Sequence, residues 1–160
     1  MSQLDSANFC MCERCLEYYR LDGGHVGPVL HFTNAIADAV SEAYPDDVIY
    51  VDMLAYWGTS SVPKVTRPRD NVSISYCFYN DIEKNACYAH GADGRDCVGT
   101  ARNTAVSNRV YAAEFEGWCE IASRVVVWYY PGMWEWCAIP SSTIANLRKD
   151  MAYFSSFDSV

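Results

Sequence analysis

Residues 48–57 read "VIYVDMLAYW". Asp52 alone interrupts this apolar run, and no three-or-four spacing passes through it. A run of that kind is expected of a strand buried on both faces of a parallel sheet. Its neighbours decide the fold. Upstream, "VGPVLHFTNAIADAVSEAYPDD" places Val29, Phe32, Ile36, Val40 and Ala43 at helical spacing. Pro28 suits the first turn of that helix and Pro45 ends it. Downstream, "GTSSVPKVTRPRDN" is a loop with two prolines, and "VSISYCFYN" from Val72 is a second strand.

The alternation continues. "SNRVYAAEFEGWCEIAS" reads as a helix capped by Ser107, with Val110, Phe115, Trp118 and Ile121 facing the core. "RVVVWYYPGM" is a third strand. "SSTIANLRKDMAYFSSF" is a last helix, capped by Ser142 or Thr143, with Ile144, Leu147, Met151 and Phe154 on one face. The predicted strands are Val48–Tyr56, Val72–Phe78 and Arg124–Tyr129. The predicted helices are Pro28–Tyr44, Asn108–Ser123 and Thr143–Phe154. Long apolar strands separated by amphipathic helices specify an α/β fold with a parallel sheet.

A complete (β/α) barrel has eight strands and needs about 250 residues. This chain has 160 residues and three clear strands, with "MSQLD" as the tail of a possible fourth. "FDSV" ends where another strand is due. The expectation is one domain over residues 1–160: a partial TIM-type (β/α) barrel, truncated at both ends. The remainder of the barrel would lie on a longer chain.

The net charge is −8, which argues against nucleic acid because phosphate binding needs a basic footprint. No apolar stretch is long enough to span a membrane. "MSQLDSAN" lacks the charged start and apolar centre of a signal peptide. Eight cysteines are many for a cytosolic enzyme and few for a small disulfide scaffold. Three of them, Cys10, Cys12 and Cys15, form a C-x-C-x-x-C array, read as a loop after the first strand end. Cys77, Cys119 and Cys137 lie in or beside apolar runs and read as ordinary buried thiols.

Five blocks in order, "SQLD…CMCERC", "RPRDNVSIS", "IEKNACYAH", "FEGWCEIASRVVVWYY" and the helix after "IP", carry a family resemblance. Together they resemble the family long called domain of unknown function 4838, placed among glycoside hydrolases as family 163. The resemblance implies a secreted or cell-envelope bacterial barrel. It further implies an endo-β-N-acetylglucosaminidase-like hydrolase whose partner is a glycan. The chain departs from that pattern in lacking the first strands and the last strand. It also carries a longer polar insertion, "GADGRDCVGTARNTAVS". The fragment alone is therefore expected to be inactive. The alternative is a non-catalytic carbohydrate-binding or structural barrel module.

Barrel chemistry sits at the C-terminal ends of strands. Glycoside hydrolysis asks for a carboxylic acid at the leaving oxygen and a second carboxylate. Asp5 and Glu83 are the catalytic candidates. Tyr56, Trp57, Asn80, Tyr130 and Trp134 are the substrate-binding candidates. Asp52 is read as a hydrogen-bonded polar residue facing the barrel interior. No cofactor is required. Structural zinc on Cys12, Cys15, Cys87 and His90 is the alternative to a disulfide between the two loops, or to free thiols.

Overall fold

A computed structural model describes residues 8–78, 108–129 and 144–160. The elements in chain order are helix α1 (Glu13–Asp22), helix α2 (Val26–Ala43), strand β1 (Val51–Ala55) and a 3-10 turn (Trp57–Thr59). Strand β2 (Val72–Cys77), helix α3 (Asn108–Ile121), strand β3 (Arg124–Trp128) and helix α4 (Ile144–Phe154) follow. The strands form one sheet in the order β1-β2-β3, and both pairings are parallel. The long proline-bearing loop is thus a crossover, as its length predicts. The expected caps at Ser107, Ser142 and Thr143, and the strand expected at "MSQLD", lie outside the described residues.

The register shows which side chains share a face. Met53 lies beside Ile74 and Ala55 beside Tyr76. Ile74 in turn lies beside Val125. These residues, with Val72 and Phe78, pack with Val26, Leu30 and Ala37 of α2, Phe115 and Trp118 of α3, and Phe154 of α4 in a single buried cluster. Since strand side chains alternate between faces, all three helices cover the same side of the sheet. The other side carries Asp52 and Leu54, then Ser73, Ser75 and Cys77, then Arg124, Val126 and Trp128.

That one-sidedness corrects the reading of residues 48–57. Among the described strands β1 lies at the edge, and it is buried on one face: Met53 and Ala55 are inaccessible while Asp52 is exposed. Only β2 is buried at every position. Its Ser73 and Ser75 are small and sit between larger neighbours on β1 and β3.

The stripe predicted for α2 is also out of phase. Phe32 is 56% exposed, whereas Thr33 and Asn34 are buried. The crossover is the reason. The Asn34 side-chain amide donates to the Arg67 carbonyl at 2.8 Å, and its oxygen accepts the Arg69 N–H at 3.1 Å. The Asn71 amide donates to the Ala37 carbonyl and to the Ser41 hydroxyl. Thr33 returns its hydroxyl to the Val29 carbonyl. A loop that replaces a helix must find partners for its backbone elsewhere, and here a polar strip of α2 supplies them. In α3, Phe115 and Trp118 are buried as expected, but Val110 is 44% exposed. In α4, Phe154 is buried and Met151 is exposed, while Asp150 takes an interior place.

Helix α1 forms where the sequence predicts a loop. Its apolar periodicity is weak, and Asp22 is its one fully buried residue. Other helix signals were present. Glu13 stands in the first turn and Arg20 in the last. Gly23, at φ 80°, ends it, and the N–H groups of Gly23 and Gly24 both reach the Tyr19 carbonyl.

α1 and α2 meet at Gly27. A Cβ built there would lie 2.3 Å from the Tyr18 carbonyl oxygen. The obstacle is backbone and cannot rotate away. We expect Gly27→Ala to destabilise the protein by about 3 kcal/mol, at the upper end of ordinary overpacking, read as a lower urea midpoint at unchanged slope.

Candidate functional site

The C-terminal end of the sheet is the place to look, because the strand ends and the turns after them meet there. After β1 the chain makes a tight turn. Tyr56 N–H donates to the Thr59 hydroxyl at 3.3 Å, and that hydroxyl donates to the Tyr56 carbonyl at 2.9 Å. Thr59 is fully buried and fixes the turn from beneath. Trp57, between them, has φ 49° and is 56% exposed. A bulky residue in the left-handed region costs on the order of 1–3 kcal/mol, and such strain concentrates at functional sites.

The same turn receives the N-terminal segment. A Cβ on Gly58 would lie 2.9 Å from Phe9 Cζ. Phe9 stacks on His25, with ring centroids 3.9 Å apart and planes 8° apart. Burial holds the His25 imidazole below its ordinary pKa. The residue after Phe9 is Cys10, so the cysteine array begins beside the turn that follows β1. Cys10, Cys12 and Cys15 are free thiols whose sulfurs all lie within 4.8 Å of one another. Cys12 is the residue before α1, and Cys15 stands in its first turn.

The sheet face that no described helix covers continues this rim downward. Ser75 donates to Asp52 Oδ1 at 2.8 Å. Arg124 lies over the Tyr50 ring at 5.1 Å from its centroid. Trp128, at the end of β3, is 51% exposed. Aromatic faces, a carboxylate and a guanidinium are the groups that bind a polar ligand with apolar patches, such as a sugar.

Of the sequence-derived candidates, Tyr56 and Trp57 lie on this rim, with Trp57 the more exposed. Asp52 is hydrogen-bonded on the face opposite the helices, as expected, and it is exposed there. Asp5, Glu83, Asn80, Tyr130 and Trp134 lie outside the described residues, as do Cys87 and His90. Cys77 is buried as expected and Cys119 is half-buried.

Three acids, Glu114, Glu116 and Asp150, each accept a tyrosine hydroxyl that the sequence does not signal. Tyr76 donates to Glu114 Oε2 at 2.9 Å, and burial raises that carboxyl against the pull of the Tyr76 and Ser60 bonds. Tyr153 donates to Glu116 Oε1 at 2.8 Å, and Tyr129 to Asp150 Oδ2 at 2.9 Å. Glu114 meets β2 from the helix-covered side, so it and its tyrosine join layers and do not face the rim. A tyrosine on one element and an acid on another, far apart in the chain, leave no local signal that they meet.

The fold and rim together define a class: a one-sided parallel α/β layer whose strand ends carry aromatic rings and a cluster of thiols. The chain belongs to the DUF4838 family, a domain of unknown function, whose profile matches residues 1–158. No curated protein and no solved structure shows detectable similarity to it.

Proposed function

We propose that the chain is part of a (β/α) barrel whose rim handles carbohydrate, and that the parent reaction is hydrolysis of glycans containing β-N-acetylglucosaminides. One observation carries the barrel. The parallel strands are ordered as they occur in the chain, and every described helix that packs on them lies on one face. A doubly wound sheet reverses its strand order and places helices on both faces, whereas a barrel keeps helices outside and side chains inside. The uncovered face with Asp52, Ser75, Arg124 and Trp128 then corresponds to the interior. The hydrolase reading rests on the resemblance of the five sequence blocks, with Asp5 and Glu83 as the acid pair. Tyr56, Trp57, Asn80, Tyr130 and Trp134 hold the sugar in this reading, and the parent protein is secreted or in the cell envelope.

A non-catalytic carbohydrate-binding module is the second reading. It is favoured by Asp52 being the single acid among the described strand residues of that face.

The test uses the full-length protein on complex N-glycans. Hydrolysis should fall by at least about a hundredfold in Glu83→Gln and in Asp5→Asn, the usual loss of an acid–base group. Trp57→Ala should weaken glycan retention about tenfold, the worth of one stacking platform. Retention without hydrolysis supports the binding module. Neither retention nor hydrolysis removes both readings.

A further inference from the structure

The array at residues 10–15 has a property that no glycan chemistry uses. Three thiols converge on one point at the start of a helix, on the exposed side of the rim. Sulfurs no more than 4.8 Å apart leave a point at most about 2.8 Å from each, and zinc–thiolate bonds are about 2.3 Å long. A shift of a few tenths of an ångström in exposed side chains brings all three to bonding distance. We propose that Cys10, Cys12 and Cys15 form a three-thiolate site for a soft, thiophilic d10 cation, with the remaining coordination position open to an outside ligand.

Three observations favour this assignment. The first is number. A disulfide joins two sulfurs, and the cluster holds three, so any one bridge strands a thiol in contact with it. A single soft cation satisfies all three, and thiolate sulfur selects Cu(I) and Zn(II) over harder ions.

The second is charge. A metal-bound thiol has lost its proton. The start of a ten-residue helix presents free N–H groups and a partial positive charge to Cys12 and Cys15.

The third is anchorage. A site must be held to have a geometry, and this one is held at both ends. Phe9, one residue before Cys10, is fixed between His25 and Gly58. Cys15 is followed by the turns of α1, which Gly27 locks onto α2. The array therefore joins the N-terminal segment to the turn after β1. The assignment is independent of the glycan reading and survives its failure.

The test uses the full chain, reduced with a phosphine and titrated separately with Zn(II), with Cd(II) as its absorbing stand-in, and anaerobically with Cu(I). The expected result is one equivalent bound, with a thiolate-to-cadmium charge-transfer band. Cys10→Ser, Cys12→Ser and Cys15→Ser should each weaken binding by at least about tenfold, since loss of even an outer partner of a ligand costs that much. The triple variant should lose the band with its circular dichroism unchanged. Cys77→Ser/Cys119→Ser should bind as the wild type does. The relative affinities of the Zn(II) and Cu(I) arms identify the ion. The proposal fails if the triple variant still binds one equivalent. It also fails if Cys87→Ser/His90→Ala abolishes binding, or if the reduced wild type binds no ion.

Discussion

Trp118→Ala is expected to cost about 3–5 kcal/mol, the range for emptying a large aromatic site in a core. Trp118 is fully buried in the cluster that joins α2, α3 and the sheet. It also has a polar duty. Its indole N–H donates to the Ser60 carbonyl at 2.7 Å, which pins the start of the crossover to α3. Beside it, a Cβ on Gly117 would lie 2.8 Å from Val62 Cγ2, so helix and loop are already in close contact. Truncation removes the packing and leaves a carbonyl without its donor at once. Trp118→Phe keeps most of the volume and isolates the hydrogen bond. It should cost about 1 kcal/mol, and the difference between the two variants is the packing share. Urea unfolding followed by circular dichroism measures both.

The second large effect belongs to Asp22. It is 2% exposed and receives the crossover at its midpoint. Its Oδ1 accepts the N–H groups of Val65 at 3.0 Å and Thr66 at 2.7 Å. Its Oδ2 accepts the Thr66 hydroxyl at 2.6 Å. That hydroxyl has one hydrogen and gives it to Asp22. Its 3.2 Å contact with His31 is then a bond donated by Nε2–H. Stacking of His31 on Tyr18 at 3.7 Å holds the ring in place. Asp22→Ala leaves two backbone donors and a hydroxyl unanswered, and should cost about 3 kcal/mol or more. Asp22→Asn should recover part of this, because its one oxygen can still accept the two N–H bonds.

The same site predicts a pH dependence. Burial raises the Asp22 carboxyl, but the bonds from Thr66 and Val65, with the nearby His31, outweigh it and leave the pKa lowered. A carboxyl whose folded pKa is depressed binds fewer protons folded than unfolded. Its stabilisation is complete above the unfolded value of about 3.9 and is lost as pH falls through the lower folded value. Wild type and Asp22→Asn should therefore converge in stability on acidification below about pH 4 and separate above it. A gap that stays constant from neutral to acid pH would contradict the assignment.

The uncovered sheet face gives these numbers their setting. Val126 is 40% exposed and Trp128 51% exposed on a face that no described helix covers. The core on the opposite face is well filled, with rings of Tyr76, Phe78, Phe115 and Phe154 in mutual contact at 4.8–5.9 Å. At the outer edge of β3, Val125 N–H donates to the Ser159 carbonyl at 2.6 Å. The chain after α4 thus returns to the sheet on the side where a further parallel strand would pair.

Much of this was legible in the amino-acid order. Apolar runs near residues 51, 72 and 124, with amphipathic segments around them, specify parallel strands packed by helices. The fourteen-residue prolyl loop "GTSSVPKVTRPRDN" excludes a hairpin by its length. The three-cysteine array and the aromatic pair Tyr56–Trp57 stand out by spacing and by place at a strand end. These features are local: each depends on residue type within a window of a few positions, which a single chain displays in full.

Tertiary structure decided the rest. Residues 48–57 carry apolar side chains on both faces, and nothing within them says that only one face is covered. That follows from the edge position of β1 among the described strands and from the described helices that pack on them lying on one side. Thr33 and Asn34 face inward on α2, against hydrophobicity, because the crossover brings bare backbone to that face. α1 forms with little apolar periodicity, because Asp22 answers a loop more than forty residues away and Gly27 lets two backbones touch. In each case the partner is remote in sequence, and burial of polar groups depends on finding that partner. Period and propensity register what a residue is; only the folded chain sets what it faces.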